Sequence, residues 1–173
     1  FQAELEADGI ACRLLRTSHA FHSAMMDAVL APFRAAFTGV ALAPPQCALI
    51  STASGDWLGA DAATSVDYWV EHLRRPVRFS RALGRVLDGS TDTASRVLLE
   101  VGPRGTLSTL ARQHLGAQHA HIAAVASLAD TPDTESAALR LAAGQLWCRG
   151  VAIDPAAVDR RPRRPRVRLP TYP

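Results

Sequence analysis

Two histidines, His19 and His22, stand three residues apart in a short polar stretch of the sequence. Histidine changes its charge near neutral pH, so it is the usual general base in catalysis. Alternating apolar residues over 10–17 predict a strand, and Ser23 can cap a helix that begins at Ala24. The two histidines are therefore expected in a strand-to-helix turn, where an α/β scaffold presents catalytic groups. Viewed alone, they are also explained as surface or capping residues.

The remaining histidines do not form a metal-binding pattern. His114, His119 and His121 cluster across a predicted helix end and loop. A zinc site requires three or four converging ligands, usually with cysteine or carboxylate support at defined spacing. The three cysteines are far apart and form no Cys-x-x-Cys pair. The sequence therefore predicts no metal site, and its odd number of separated cysteines predicts reduced thiols and a cytoplasmic location.

The sequence contains no recognisable nucleophile of a self-contained hydrolase. The nucleophile elbow requires Gly-x-Ser-x-Gly between a strand and a helix, and this pentapeptide does not occur. Ser54 and Ser90 each have one neighbouring glycine but lack the spacing. Any catalysis must then use residues of this chain as a base, an orienting group or a binder.

Strand and helix patterns alternate along the chain, which indicates an α/β layer architecture. The nearly continuous apolar residues of 96–101 are typical of a parallel strand covered on both faces. Further apolar runs predict strands at 47–52 and 122–126. Helical spacing, serine caps and C-terminal glycines predict helices over 1–8, 24–37, 66–74, a segment after Ser80, 106–115 and 135–149.

Charge is concentrated in the C-terminal tail. All 19 basic residues are arginine; residues 154–173 carry six of them against two acids, and the remainder carries 13 against 14 acids. The alternating prolines of 160–165 remove hydrogen-bond donors and predict an extended tail. With its apolar end, this tail is predicted to be a strap on protein rather than a nucleic-acid-binding arm. No apolar run of about 18 residues predicts a membrane span.

Four stretches of the sequence match one family in order and spacing. They are His-Ala-Phe-His-Ser at 19–23, Tyr-Trp-Val-Glu-His-Leu-Arg-Arg-Pro-Val-Arg-Phe at 68–79, Leu-Leu-Glu-Val-Gly-Pro at 98–103 and Arg-Leu-Pro-Thr-Tyr-Pro at 168–173. Together they resemble the malonyl-selective acyltransferase domain of modular type I polyketide synthases, in its C-terminal part and following linker. Methylmalonyl-selective relatives carry Tyr-Ala-Ser-His at the place of the first stretch.

The resemblance implies an α/β fold with two subdomains. Residues 1–18 would end an inserted ferredoxin-like small subdomain, and 19–130 would form the C-terminal part of an α/β-hydrolase-like large subdomain. Residues 131–173 would be the post-acyltransferase helix and an extended linker that packs toward a ketosynthase. In the family, the nucleophilic Ser and the Arg that binds the malonyl carboxylate precede these segments. Both are therefore expected to lie outside this chain.

The resemblance also implies roles for four residues. His22 would be the catalytic base, and the backbone carbonyl of His72 would accept its hydrogen bond and fix its tautomer. The side chain of His72 is expected to be incidental. His19 and Phe21 would line the substrate pocket, where the bulk of Phe21 crowds out a C2-methyl group. One methyl group is worth about 1–3 kcal/mol, so selectivity for malonyl is expected to be incomplete. The alternative for Phe21 is an ordinary core residue.

The implied reaction is ping-pong acyl transfer. A malonyl unit would pass from coenzyme A to Ser and then to the phosphopantetheine thiol of an acyl carrier protein, with His22 moving the proton. No permanently bound cofactor is expected, since malonyl-CoA is a substrate and phosphopantetheine belongs to the carrier protein. The expected partners are the upstream part of the domain, the ketosynthase and the carrier protein. The alternative, favoured by the missing nucleophile, is a non-catalytic module that docks on a ketosynthase or carrier protein.

Overall fold

The computed structural model describes residues 1–12, 17–88, 96–116, 119–159, 161 and 168. The chain divides into two compact units, residues 1–89 and 90–173. The subdomain boundaries expected at residues 18 and 130 stay predictions. None of the described helices is long and apolar enough to cross a membrane.

The first unit combines helices with a small hairpin. Its core consists of apolar side chains from the helices and the hairpin: Met26, Ala53, Leu58, Ala63, Val70, Ala82, Leu83 and Leu87. Its elements are α1 Gln2–Ala7, a 3₁₀ turn Ala24–Met26, α2 Asp27–Ala35, β1 Ile50–Ser51, β2 Asp56–Trp57, α3 Ala60–Ala63, α4 Val66–Arg74 and α5 Phe79–Asp88. Part of the strand predicted over 10–17 lies outside the described residues, and the described residues 10–12 form no strand.

Serine side chains begin two helical segments of the first unit. Ser23 accepts a hydrogen bond from the Met25 N–H at 3.2 Å, and Ser65 accepts one from the Tyr68 N–H at 3.3 Å. The predicted Ser23 and Ser65 caps are therefore confirmed. The predicted Ser80 cap is wrong, because Ser80 lies inside α5. The carbonyl of Arg78 already accepts the Ala82 N–H, so the helix begins before Ser80 can cap it.

A tight hairpin replaces the longer buried strand predicted at 47–52. β1 pairs antiparallel with β2, with Ser51 opposite Asp56. Gly55 closes the turn with a φ of 71°, and its N–H donates to the carbonyl of Ser51 at 2.7 Å. Because the chain reverses at once, only residues 50 and 51 of the predicted strand enter the hairpin, and Cys47 is exposed.

The second unit is built on two parallel strands. β3 pairs with β4, with Val97 opposite Ala123, and this pair confirms the two strands and the α/β character of the prediction. α7 begins earlier than predicted because Pro132 suits the first helical position. A short helix follows Asp154, and the extended stretch predicted over 160–165 lies outside the described residues except for Arg161. The elements are β3 Val97–Glu100, α6 Thr106–His114, β4 Ala123–Ala126, α7 Pro132–Trp147 and α8 Pro155–Val158.

Glu100 connects the end of β3 to the beginning of α6. Its carboxylate accepts the Leu107 N–H at 3.0 Å and the Ser108 N–H at 2.7 Å. Burial alone would raise the pKa of Glu100, but these hydrogen bonds outweigh it and lower the pKa from its ordinary value. A carboxylate at this place also complements the positive end of the helix dipole. The stretch at 98–103 thus fixes where α6 starts.

β3 is not covered on both faces by the described residues, contrary to the prediction. Leu99 is 43% exposed and Val101 is 82% exposed. α6 packs on both strands, and α7 packs on β4. The core there contains Ala111, Ile122, Val125 and Ala142.

Replacing Gly55 with alanine is expected to loosen the hairpin. A Cβ at this position would lie 2.6 Å from Cγ of Arg81, and the φ of 71° disfavours any side chain. Gly39 is a matched control, because its φ is 81° and a Cβ added there would meet no atom within 4 Å. Gly39→Ala should cost about 1–2 kcal/mol, and Gly55→Ala about 1–3 kcal/mol more.

Amide hydrogen exchange in the full-length protein gives the free energy of local opening around each glycine. If the two variants lower the free energy of local opening by the same amount, the Arg81 side chain moves aside without an energetic cost.

Candidate functional site

Ser23 holds the turn that carries His22. Its Oγ donates to the carbonyl of Ala20 at 2.6 Å and accepts the Met25 N–H at 3.2 Å. The Ala20 N–H also points to the sulfur of Met25 at 3.4 Å. These contacts bracket His22, whose φ is 60°. A left-handed backbone costs a non-glycine residue about 1–2 kcal/mol, so the surrounding contacts hold strain at the residue predicted to be the base.

α4 brings His72 beside His22. The centroids of the two imidazole rings are 6.5 Å apart, and the ring planes meet edge to face at 76°. Nδ1 of His22 is buried and has no hydrogen-bond partner among the described residues. The bond expected from His22 to the backbone carbonyl of His72 is thus not formed within the described part of the chain. Nδ1 is the nitrogen that such a bond would use.

The side chain of His72 has a defined place, although it was expected to be incidental. Its Nε2 lies 3.4 Å from Oγ1 of Thr52. The rings of Tyr68 and Trp69 each lie 6.0 Å from its ring. Burial lowers the pKa of His72 below its ordinary value, and the positive charge that His22 can carry lowers it further. No local pattern could have identified Thr52, because the hairpin turn brings it to His72.

His19 and Phe21 lie on the surface side of the same turn. Their rings are 6.1 Å apart, and Nδ1 of His19 lies 2.9 Å from Oγ of Ser18. Phe21 is 53% exposed, so it is not an ordinary core residue of the described structure. The role of both side chains in a substrate pocket stays a prediction.

Outside the turn at 19–23 and α4, the described residues form no second site from the residues predicted to be functional. No three His, Cys, Asp or Glu side chains among the described residues lie together so that they could hold a metal ion. A groove of about 820 Å³ in the second unit is lined by three arginines beside Trp147 and Cys148. None of the predicted site residues lines this groove. The arginines are Arg112, Arg140 and Arg149.

Sequence comparison relates most of the chain to one family. The family described as "Acyl transferase domain" matches residues 1–152. The polyketide synthase GfsB of Streptomyces halstedii is 39% identical over 161 residues, which are 92% of this chain and 3% of that protein. The phenolphthiocerol synthesis polyketide synthase type I Pks15/1 of Mycobacterium bovis is 35% identical over 167 residues, 96% of this chain and 8% of that protein. The chain thus spans a small part of these relatives.

Solved structures show the same relation. The acyl transferase domain of SpnD, in complex with 2-(pent-4-yn-1-yl)malonyl, superposes with a TM-score of 0.74 at 31% identity. That match covers 86% of this chain and 36% of the SpnD chain. The acyltransferase domain from the second module of the salinomycin polyketide synthase has a TM-score of 0.71 at 33% identity, over 90% of this chain and 35% of its own.

His72 is expected to titrate below pH 6.5, its ordinary pKa. Because the pKa is lowered only in the folded state, the unfolded chain takes up this proton first as the pH falls. The contribution of neutral His72 to the free energy of unfolding is therefore fully present above pH 6.5. It is lost as the pH falls from 6.5 through the lowered pKa of His72. Histidine C2–H exchange followed by mass spectrometry measures this pKa in the full-length protein.

Replacing His22 with alanine should raise the pKa of His72, since one positive neighbour is removed. The other charges on α4 and at its C-cap are paired, Asp67 with Arg34, Arg74 with Asp27 and Glu71 with Arg75. A His72 pKa at or above 6.5 in the wild-type protein would contradict the burial of its ring.

Proposed function

Because the chain belongs to the acyl transferase domain family, we propose that it carries the base of a Ser-His pair that transfers an acyl group from coenzyme A to an acyl carrier protein. The observation that carries the proposal is the position of His22. It stands at a strained turn, held by Ser23, with its ring against His72. Strained backbone at a polar side chain is typical of active sites.

In the first half-reaction, a Ser hydroxyl attacks the thioester carbonyl while His22 takes the hydroxyl proton. The tetrahedral intermediate expels the coenzyme A thiolate, which receives the proton from His22, and the acyl group stays on Ser as an ester. In the second, the phosphopantetheine thiol gives its proton to His22 and its sulfur attacks the ester. The Ser alkoxide leaves and is reprotonated by His22.

The nucleophile is proposed to lie outside this chain. No Gly-x-Ser-x-Gly elbow occurs in the 173 residues, and the chain covers 36% of the SpnD acyl transferase chain. The Arg that would bind a malonyl carboxylate is likewise proposed to lie outside it, since a planar guanidinium suits that group. The proposed reaction uses no permanently bound cofactor, and malonyl-CoA and the phosphopantetheine of the carrier protein are its substrates.

The proposed acyl unit is malonyl. Phe21 supports this because its exposed ring stands one residue before His22 and beside His19. A C2-methyl group of the substrate would clash with this ring, whereas a serine side chain at position 21 would leave room for it.

The proposed subdomains are the end of a ferredoxin-like small subdomain over residues 1–18 and the C-terminal part of an α/β-hydrolase-like large subdomain over 19–130, which begins with the turn at 19–23. The proposed partners are the upstream part of the domain, a ketosynthase next to the C-terminal linker and the carrier protein.

His22→Ala in the full-length protein should lower the rate of acyl-enzyme formation from malonyl-CoA by at least about 100-fold, because general base catalysis is lost. Rapid-quench labelling and intact-protein mass spectrometry measure that rate. His121→Ala is the matched control, since His121 is exposed in the second unit and has no role in the proposal. A His22→Ala protein that loads malonyl within a few-fold of wild type would show that another group is the base.

Changing the pocket turn should alter selectivity. The double variant His19→Tyr with Phe21→Ser removes the ring that crowds a C2-methyl group, and the ratio of kcat/KM for methylmalonyl over malonyl should rise about 10-fold or more. Phe1→Ser is the control for the Phe-to-Ser exchange, because Phe1 is 90% exposed. An unchanged ratio would remove Phe21 and His19 from the pocket.

The alternative is a non-catalytic module that docks on a ketosynthase or carrier protein, and the absent serine elbow favours it. Peptide mapping of the malonyl label decides between the two. A label on a Ser outside these residues, lost in His22→Ala, supports catalysis. A label on a residue of this chain contradicts the proposed division of the Ser-His pair, and a full-length protein without any label favours the docking module.

A further inference from the structure

We propose that the imidazole of His72, held by Thr52, is a positioning residue that fixes the ring of His22. The inference rests on the proposed function, because it concerns how the base is held for proton transfer. It assigns a role to the side chain of His72, whereas the family resemblance involves its backbone carbonyl alone.

The rings of α4 that contact His72 are each tethered by a hydrogen bond. The hydroxyl of Tyr68 donates to Oγ of Ser51 at 2.5 Å, and the indole N–H of Trp69 donates to the carbonyl of Ala63 at 2.8 Å. Both rings are half-buried beside the imidazole. His72 therefore packs against a rigid wall rather than against mobile side chains.

Thr52 contacts the imidazole of His72 directly, and hydrogen bonds hold the backbone around Thr52 in place. Its carbonyl accepts the Arg78 N–H at 2.7 Å. The preceding Ser51 is buried, and its Oγ accepts the N–H groups of Ala53 and Ser54 at 3.1 and 3.3 Å. The Thr52 hydroxyl can thus be removed without freeing the chain around it. The contact from this hydroxyl to His72 is 3.4 Å long, which is a weak hydrogen bond, so its removal is expected to have a modest effect.

His22, by contrast, has no hydrogen-bond tether on Nδ1 among the described residues. Its ring contact in the described structure is the edge-to-face packing with His72, a geometry that aromatic rings prefer over random orientation. The packing with His72 therefore sets the orientation of the His22 ring, and the contact with Thr52 sets the orientation of the His72 ring. A misplacement of about 1 Å at a reacting group can cost about 100-fold in rate.

The test is a double-variant cycle in the full-length protein. Thr52→Val removes the hydroxyl and keeps the shape, while His72→Phe keeps a ring that cannot bond Thr52. Each single variant should slow malonyl loading of the Ser on the order of 3- to 10-fold with KM unchanged, and the double variant should be no slower than either. Thr52→Ser, which restores a hydroxyl, should load at the wild-type rate. Thr64→Val is the control, because within the described residues the Thr64 hydroxyl donates to the carbonyls of Ala60 and Asp61 in α3.

The outcomes separate this inference from the proposed function. If His22→Ala abolishes loading while Thr52→Val and His72→Phe load normally, the positioning role is refuted and the base assignment stands. If the two losses multiply in the double variant, Thr52 does not act through His72 and the inference is also refuted. If His22→Ala itself loads normally, the proposed function fails first. A local loss of structure in Thr52→Val, seen as lost hydrogen-exchange protection of α4, would leave His72→Phe and Thr52→Ser to decide.

Discussion

The left-handed backbone of His22 is the constraint on which the candidate site depends. A residue with a β-carbon adopts this conformation only when its surroundings over-determine it. Ser23 does so from both sides, because the same hydroxyl donates to Ala20 and accepts from Met25. The serine that ends the turn also starts the next helical segment. A single side chain thereby converts a flexible polar stretch into a turn with one defined direction for the imidazole.

α4 also supports the turn that carries His22. Apolar packing contributes more than ion pairs to holding α4 against the 3₁₀ turn and α2. Arg74 of α4 bonds Asp27 at the start of α2 at 2.6 Å, and Arg34 of α2 pairs with Asp67 of α4. Such exposed pairs contribute about 0.2–1 kcal/mol each, so they add little to the stability of the helix packing. Buried Met26 and Val70 belong to the two packed segments. The element after His22 and the element that carries His72 are therefore joined on their apolar sides.

The sequence predicted those features whose causes are local. Serine caps at Ser23 and Ser65, the two strands of the second unit and the helix α6 between them follow from hydroxyls and apolar periods. The pairing of the hairpin was not predicted, because β2 contains only Asp56 and Trp57 and two residues are too few to show an alternating pattern. The contact between Thr52 and His72 joins residues 20 positions apart. No window of sequence contains both partners, so only the folded chain could reveal it.

A neutral His72 has a chemical consequence for the proposed base. In a Ser-His-Asp triad, a buried carboxylate stabilises the imidazolium that forms when the base takes a proton. Among the described residues, no carboxylate forms an ion pair with His22, and its aromatic neighbour resists protonation because burial lowers the pKa of His72. In the proposed exchange, the thiol ionises at about pH 8.5 and its thiolate leaves far more easily than an amine, so the leaving group needs little help from an acid. Accurate placement of His22 is therefore the main requirement of the proposed exchange, and the turn at 19–23, α4 and Thr52 are the described elements proposed to supply it.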